Sequence, residues 1–268
     1  MQTITLTPEL ATQLLERNSL NRPLSDSHVS RIAKQIKAGK WKFNGDTIKI
    51  ADTNDVLDGQ HRLWAVIEAK IPIETILVRG IRRDAFATID TLRKSRSGSD
   101  TLTLNGVHQY RTVIASAIPW LIRWQRGVLL DYKAPKNRIE NSDIEDAYNA
   151  HQGIVLAAER SSKLKAIINP GILSFFYYVM VNRNGDLAER MMRTLEHPSA
   201  VGVADPFFCL RAQLLNTKNS RVGTLTQIAW MIKANNAAYK GQSVKALNWR
   251  NQGQNPEPFP TLKVEGKA

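Results

Sequence analysis

Asp58, Gly59, Gln60, His61 and Arg62 are consecutive, and together they combine residue types that bind anions. They follow a short apolar run, Val56-Leu57, and precede Leu63, Trp64, Val66 and Ile67, whose spacing predicts a helix. A strand that passes through glycine into a helix presents first-turn backbone N–H groups that have no partner inside the helix, and with them the positive end of the macrodipole. Gly59 lets the backbone turn sharply and come close to a phosphate. His61 and Arg62 add donors in the same turn, and the Arg62 guanidinium is shaped to fork two phosphate oxygens. Asp58 suits such a site only as a helix cap or with a cation between it and the phosphate. The structural alternative makes Asp58 the cap and leaves His61 and Arg62 on the surface.

Two further segments are rich in cations. From Arg79 to Arg96 the basic residues Arg79, Arg82, Arg83, Arg93, Lys94 and Arg96 face only Asp84 and Asp90. That excess suits a triphosphate or a nucleic-acid backbone, or else a solvated basic helix end. Farther on, Arg123, Arg126, Lys133, Lys136 and Arg138 are interleaved with Trp120, Trp124 and Tyr132. Arginines among aromatic rings can grip a single strand by stacking and charge. The four-residue spacing of the two tryptophans favours packing on one helix face instead.

Other chemistries lose their footing. His28, His61, His108, His151 and His197 form no His-x-x-x-His pair, which argues against a zinc hydrolase. His28 either faces the ligand or is exposed to solvent, and His197, before Pro198, is expected at a helix end. Cys209 is the single cysteine, so neither an intramolecular disulfide nor a Cys-rich zinc site can form, and its apolar neighbours predict a core thiol. The chain carries neither a Gly-x-x-x-x-Gly-Lys-Ser/Thr loop nor a Gly-x-Ser-x-Gly elbow.

The elements that must position the turn can be read from periodicity. Residues 2–7 alternate as a strand, and Thr7-Pro8 opens a helix with Leu10, Leu14 and Leu15 on its apolar face. Asn21-Arg22-Pro23 is an extended break. Val29, Ile32, Ala33 and Ile36 mark a second helix from about Asp26, ended by Gly39. Thr47–Ala51 and Val56-Leu57 form a hairpin about the turn 52–55, Ile71–Val78 is a strand, and Asp84 caps a helix through Phe86, Ile89 and Asp90. The Ser/Gly/Thr/Asn-rich stretch 95–106 is read as a domain boundary. Beyond it, residues 107–130, 142–167, 171–182, 184–196, 204–215 and 223–239 are helical. Pro119 is expected to kink or split the first, and Ser142 with Glu145 is expected to form a capping box. The tail from Gln252, with Pro256, Pro258 and Pro260, is extended or loop.

The 268-residue chain is 43% hydrophobic and carries a net charge of +13, with a sequence pI near 10.0. This composition predicts a folded protein with an anionic partner, nucleic acid foremost. The N-terminus lacks a signal-peptide pattern, and Ile172–Val181 is too short to span a bilayer, so the expected location is cytoplasmic, with no membrane partner.

The turn resembles the signature of the ParB/sulfiredoxin superfamily. ParB-type partition proteins read Gly-Glu-Arg-Arg at this position and sulfiredoxins read Gly-Cys-His-Arg, where this chain reads Gly59-Gln60-His61-Arg62. The full Asp-Gly-Gln-His-Arg string also resembles proteins named for that motif, some associated with DNA modification and many carried by phages and plasmids. Asn21-Arg22-Pro23-Leu24-Ser25 matches the family's upstream polar-Arg-Pro element, and Ile89-Asp90-Thr91-Leu92-Arg93-Lys94 approximates its Glu-Asn-x-x-Arg helix. The resemblance covers residues 1–100. It implies an α+β nucleotide-binding domain of this type; the mainly α-helical domain over 107–268, read from periodicity, resembles no particular family and is expected to contact DNA or to self-associate as a homodimer.

By the same resemblance, Arg22, Gly59, Gln60, His61, Arg62, Arg93 and Lys94 hold the phosphates of CTP or ATP, and Asp90 helps to bind Mg2+. Arg79, Arg82, Arg83, Arg96, Arg123 and Arg126 are the candidate nucleic-acid contacts. Gln60 stands where sulfiredoxins have their catalytic cysteine, and glutamine is no nucleophile, so sulfinic acid reduction is excluded. The expected protein is a nucleotide-binding, DNA-associated one of a bacterial cell or phage-infected host. The alternatives are a metal-dependent NTPase, kinase or nuclease with Asp58 or Asp90 as its carboxylate, and a DNA-binding scaffold whose nucleotide pocket has lapsed.

Overall fold

In the computed structural model, residues 1–18, 24–82, 97–217, 220 and 222–263 are described. Arg22, Arg83, Asp90, Arg93, Lys94 and Arg96 lie outside these residues, as do the Asn21-Arg22-Pro23 break and the helix expected from Asp84. The chain divides into two compact units, Met1–Ser95 and Arg96–Ala268.

The first unit is built on a four-stranded sheet ordered β1-β4-β2-β3. Strand β1 (Gln2–Leu6) runs antiparallel to β4 (Ile73–Ile81), β4 parallel to β2 (Thr47–Ala51), and β2 antiparallel to β3 (Val56–Asp58). Burial alternates along β4, where Ile73, Thr75 and Leu77 are buried and Glu74 is exposed, so one face of the sheet is covered and the other open. Helices α1 (Pro8–Leu15), α2 (Asp26–Lys37) and α3 (Gln60–Ala69) supply the cover, with α3 packed against both α1 and α2. Leu6, Val29, Ala33, Ile36, Ile48, Leu63 and Val66 meet in one core.

Local chemistry starts and stops these helices as the sequence predicts. The Thr7 hydroxyl accepts the Leu10 N–H, and Pro8 occupies the first turn of α1. After α2, Gly39 adopts φ +66°, its N–H donates to the Ile36 carbonyl, and the Lys40 N–H donates to the Gln35 carbonyl, a Schellman ending. Helix α3 departs from expectation. Trp64 is 40% exposed, while Gln60, His61, Ala65 and Ala69 are buried beside Leu63 and Val66. Contact with two helices and the sheet buries a wider arc of α3 than a single apolar stripe provides.

The second unit is helical throughout its described elements. They are α4 (Gly98–Leu104), α5 (Arg111–Gln125), α6 (Asn141–Ala150), α7 (Ile154–Ser162), α8 (Pro170–Val181), α9 (Gly185–Glu196), α10 (Pro206–Asn216) and α11 (Thr224–Tyr239). Helix α8, the most apolar segment, is buried on nearly every side by α5, α7, α9 and α11. No helix among the described residues is long and apolar enough to cross a membrane. Cys209 is buried in this core, and burial pushes its thiol pKa up.

The stretch 95–106, read as a domain boundary, begins where the chain divides into its two units, and within it Ser97 and Asp100 form a capping box that starts α4, with Leu102 buried. Three expectations need correction here. The helix expected over 142–167 is two helices, α6 and α7, separated at His151–Gly153. The capping box of α6 pairs Glu140 with Asp143 instead of Ser142 with Glu145, which starts the helix one residue earlier. Pro119 lies inside α5, and the helix continues through it.

A charged cluster ties α7, α8 and α9 together. Arg160 bonds Glu189 at 2.6 Å and Glu196 at 3.1 Å, and the Tyr177 hydroxyl donates to Glu189. The Arg160 guanidinium, and after it the Tyr177 hydroxyl, hold Glu189 below the usual carboxylate range. A depressed carboxylate contributes stability that is present above its unfolded pKa, about 4.3, and is lost as pH falls through the lower folded value. Thermal melts of the wild type should therefore decline more steeply below about pH 4.3 than those of Glu189→Gln. Parallel acid limbs would contradict this.

Candidate functional site

The motif turn lies where β3 gives way to α3. Gly59 is the residue before the helix and has φ +102°, a conformation that glycine adopts without strain. A Cβ at Gly59 would stand 2.5 Å from Ile48 Cδ1 and 3.4 Å from Ile48 Cα. The start of α3 is thus pressed onto β2, with no room for a side chain between them. The N-cap Gly59 offers no side chain to the first turn of α3, and no acidic residue lies in that turn.

Asp58 is not the cap. Its carboxylate accepts from Lys49 Nζ at 2.9 Å, and the two residues are register partners on β2 and β3. Cross-strand partners share a sheet face. Ile48 and Ile50 point into the helix-covered core, so Lys49 and Asp58 stand on the opposite face, away from the first turn of α3. The negative charge beside the turn is thereby compensated by a cation that the motif itself does not contain. Lys49 was not singled out from the sequence, although the hairpin reading about 52–55 already places it across from Asp58.

The other motif side chains are tied inward. Gln60 is 5% exposed, and its Oε1 accepts from Asn18 Nδ2 at 3.2 Å. His61 is 9% exposed, and its Nε2 accepts the Ser25 backbone N–H at 3.2 Å. The His28 ring lies 4.7 Å from the His61 ring, which places His28 against the turn. Arg62 donates through Nη1 to the Thr47 carbonyl at 2.8 Å. Among the described residues its remaining guanidinium N–H groups have no partner, and the side chain is only partly buried. Asn18 and Ser25 bracket Arg22 in sequence, and both reach the turn.

Arg79 and Arg82 lie farther along the sheet. Arg62 reaches Thr47, whose register partner is Ile76, and Arg79 is three residues beyond Ile76, ~10 Å along the strand. In the second unit, the Arg123 guanidinium sits 5.1 Å from the Trp120 ring and 5.7 Å from the Tyr132 ring. Burial there lowers its pKa from the ordinary arginine value. Trp120 and Trp124 pack against the core, Trp124 edge-on to Phe175. Arg126 pairs with Asp143 at 3.2 Å. Among the described residues no group of three His, Cys, Asp or Glu side chains is placed to hold a metal ion.

Comparison with family models, curated proteins and solved structures returns no match.

Two substitutions test this geometry. Gly59→Ala combines a strained φ with the overlap on Ile48 and should destabilise the first unit by about 2–4 kcal/mol in urea unfolding. Adding Ile48→Val removes the overlapping Cδ1 and should recover part of that loss; equal stability of the single and double variants would refute the contact. A double-mutant cycle on Lys49→Ala and Asp58→Ala should return a coupling of about 1 kcal/mol, and a null coupling would remove the compensation argument.

Proposed function

We propose that the first unit binds a nucleoside triphosphate, CTP or ATP, at the Gly59–Arg62 turn, and that the protein is a nucleotide-dependent, DNA-associated one of the ParB-like type. The observation that carries this reading is the double tether of the turn. Asn18 and Ser25, on either side of the Arg22 element, hydrogen-bond to Gln60 and His61. The two segments joined in the family resemblance therefore bond to one another in this chain. The glycine at the start of α3, the Arg62 donors without a partner among the described residues and the +13 net charge all favour an anion at this place.

The residues at the turn fit phosphate better than they fit a metal ion. Asp58, the carboxylate adjoining the turn in sequence, is paired with Lys49 on the other sheet face. Mg2+ would therefore be held chiefly by the phosphates themselves, with Asp90 as the expected protein ligand, because Mg2+ is commonly bound through one or two carboxylates plus substrate phosphates. In this reading Gly59 permits the close backbone approach, Arg62 forks phosphate oxygens, and buried Gln60 and His61 hold the turn in shape. The second unit contributes DNA contact or self-association, and the nucleotide acts as a switch between packing states.

Calorimetric and thermal-shift titrations with CTP, ATP, GTP and UTP, each with Mg2+, test the reading. One nucleotide should stabilise the wild type by about 2.7 kcal/mol at a hundred times its dissociation constant, and Arg62→Ala should lose the effect. If no nucleotide binds, or if Arg62→Ala binds as well as the wild type, the phosphate-turn assignment fails.

A further inference from the structure

The second unit holds an arginine whose charge no described residue answers. The Arg123 guanidinium, on α5, lies 5.1 Å from the Trp120 ring and 5.7 Å from the Tyr132 ring, and the two rings are 5.1 Å apart. The rings fix the guanidinium in place without neutralising it. Among the described residues the side chain has neither a hydrogen-bond acceptor nor a carboxylate partner, and its Nε is enclosed. The two Nη groups also lack partners but are not enclosed, and the residue is part-exposed. Burial already pushes the Arg123 pKa down. A partly desolvated cation without a counter-charge is costly, and an oxyanion from outside would supply the missing partner.

Two lysines extend this charge. Lys133 Nζ lies 5.7 Å from the same Tyr132 ring, so that ring carries one cation from α5 and one from the loop that follows. Lys136 stands three residues on, in the short 3-10 turn Pro135–Asn137. The loop is pinned: Asn137 Nδ2 and the Ala134 N–H both donate to the Asp131 carbonyl at 2.9 Å. Both lysines are exposed, and neither is ion-paired among the described residues.

The charge count leaves an excess. From Arg123 to Asp143 the basic side chains are Arg123, Arg126, Lys133, Lys136 and Arg138, and the acidic ones are Asp131, Glu140 and Asp143. Arg126 pairs with Asp143 at 3.2 Å, and Arg138 pairs with Glu140 at 3.7 Å. Arg123, Lys133 and Lys136 then face Asp131 alone, and no ion pair joins Asp131 to any of them. Trp120 and Tyr132 already face the guanidinium and each other, so they order the cation and are not a platform for a base. Cations carried on a helix and on a pinned loop suit an anion that repeats along a chain, as in a nucleic-acid backbone. We infer that Arg123, Lys133 and Lys136 form a phosphodiester-binding surface that holds a nucleic-acid backbone irrespective of base sequence. The inference rests on the DNA-associated reading above and is independent of nucleotide binding at the Gly59 turn.

Fluorescence anisotropy over a salt series, with a short labelled oligothymidylate and a short labelled duplex, tests it on the full chain. Each lost phosphate contact lowers the slope of log affinity against log salt by about 0.9 on a duplex and about 0.7 on a single strand. The double variant Lys133→Gln with Lys136→Gln should weaken binding by about tenfold and lower the slope by about 1.8 on the duplex or about 1.4 on the strand, which also tells the two forms apart. Arg123→Gln should lower the slope by one contact. Lys163→Gln with Lys165→Gln removes the same charge from exposed positions elsewhere in the unit and should keep the wild-type slope. Equal losses in the two double variants would overturn the surface while leaving DNA association in place. Binding of neither probe by the wild type would remove both. Competition by polyglutamate as effective as that by unlabelled oligothymidylate at equal charge would overturn the inference in favour of an acidic protein partner.

Discussion

The contact between Gly59 and Ile48 is the constraint on which the first unit turns. Strand β3 ends, the chain reverses within one residue, and α3 begins against the backbone of β2. Only a residue without a side chain can stand there, both because of its φ and because of the space. That closeness sets the depth of α3 between α1 and α2 and carries Gln60 and His61 into the interior. It also brings the first turn of α3 within reach of Asn18 and Ser25. A looser junction would leave the same residues on the surface.

The same junction separates charges by sheet face. Asp58 and Gly59 are neighbours in sequence, yet the strand pleat sends Asp58 to the open face with Lys49 while the chain beyond Gly59 crosses to the helical face. The carboxylate that looked incompatible with a phosphate at the turn is directed elsewhere and compensated. The +13 charge of the chain is not spread evenly over its candidate sites either. Arg123 is wedged between aromatic rings, Arg126 is paired, and Arg160 is committed to two glutamates, so several cations hold the fold together.

Much of this was legible in the sequence wherever one periodicity governed one element. The β2–β3 hairpin, the Thr7 cap, the Val29–Ile36 stripe and the Gly39 ending all follow local rules. Local rules fail where tertiary contact widens or redirects burial. Trp64 carries the apolar signal of α3 yet is exposed, while polar Gln60 and His61 are buried because partners in distant segments satisfy them. The Ser-rich start of α4 reads as linker until its capping box and Leu102 are considered together. At the site, the residue types of the turn were legible, and the hairpin already set Lys49 across from Asp58, but the other attachments were not legible, since Asn18, Ser25 and Thr47 reach the motif only through pairings that the hydrophobic pattern does not encode.

The sheet order has a consequence for the birth of the chain. Among the described strands β1 pairs only with β4, and Gln2 meets Leu77, so β1 has no partner among them until β4 has been made. At ~5–20 residues per second, that interval is about 4–15 s of synthesis. Helices α1 to α3 emerge within it, while hairpin β2–β3 and the Gly59 reversal can already form from neighbouring residues. The turn is therefore assembled on an unfinished sheet, and the arrival of β4 between β1 and β2 closes the unit around it.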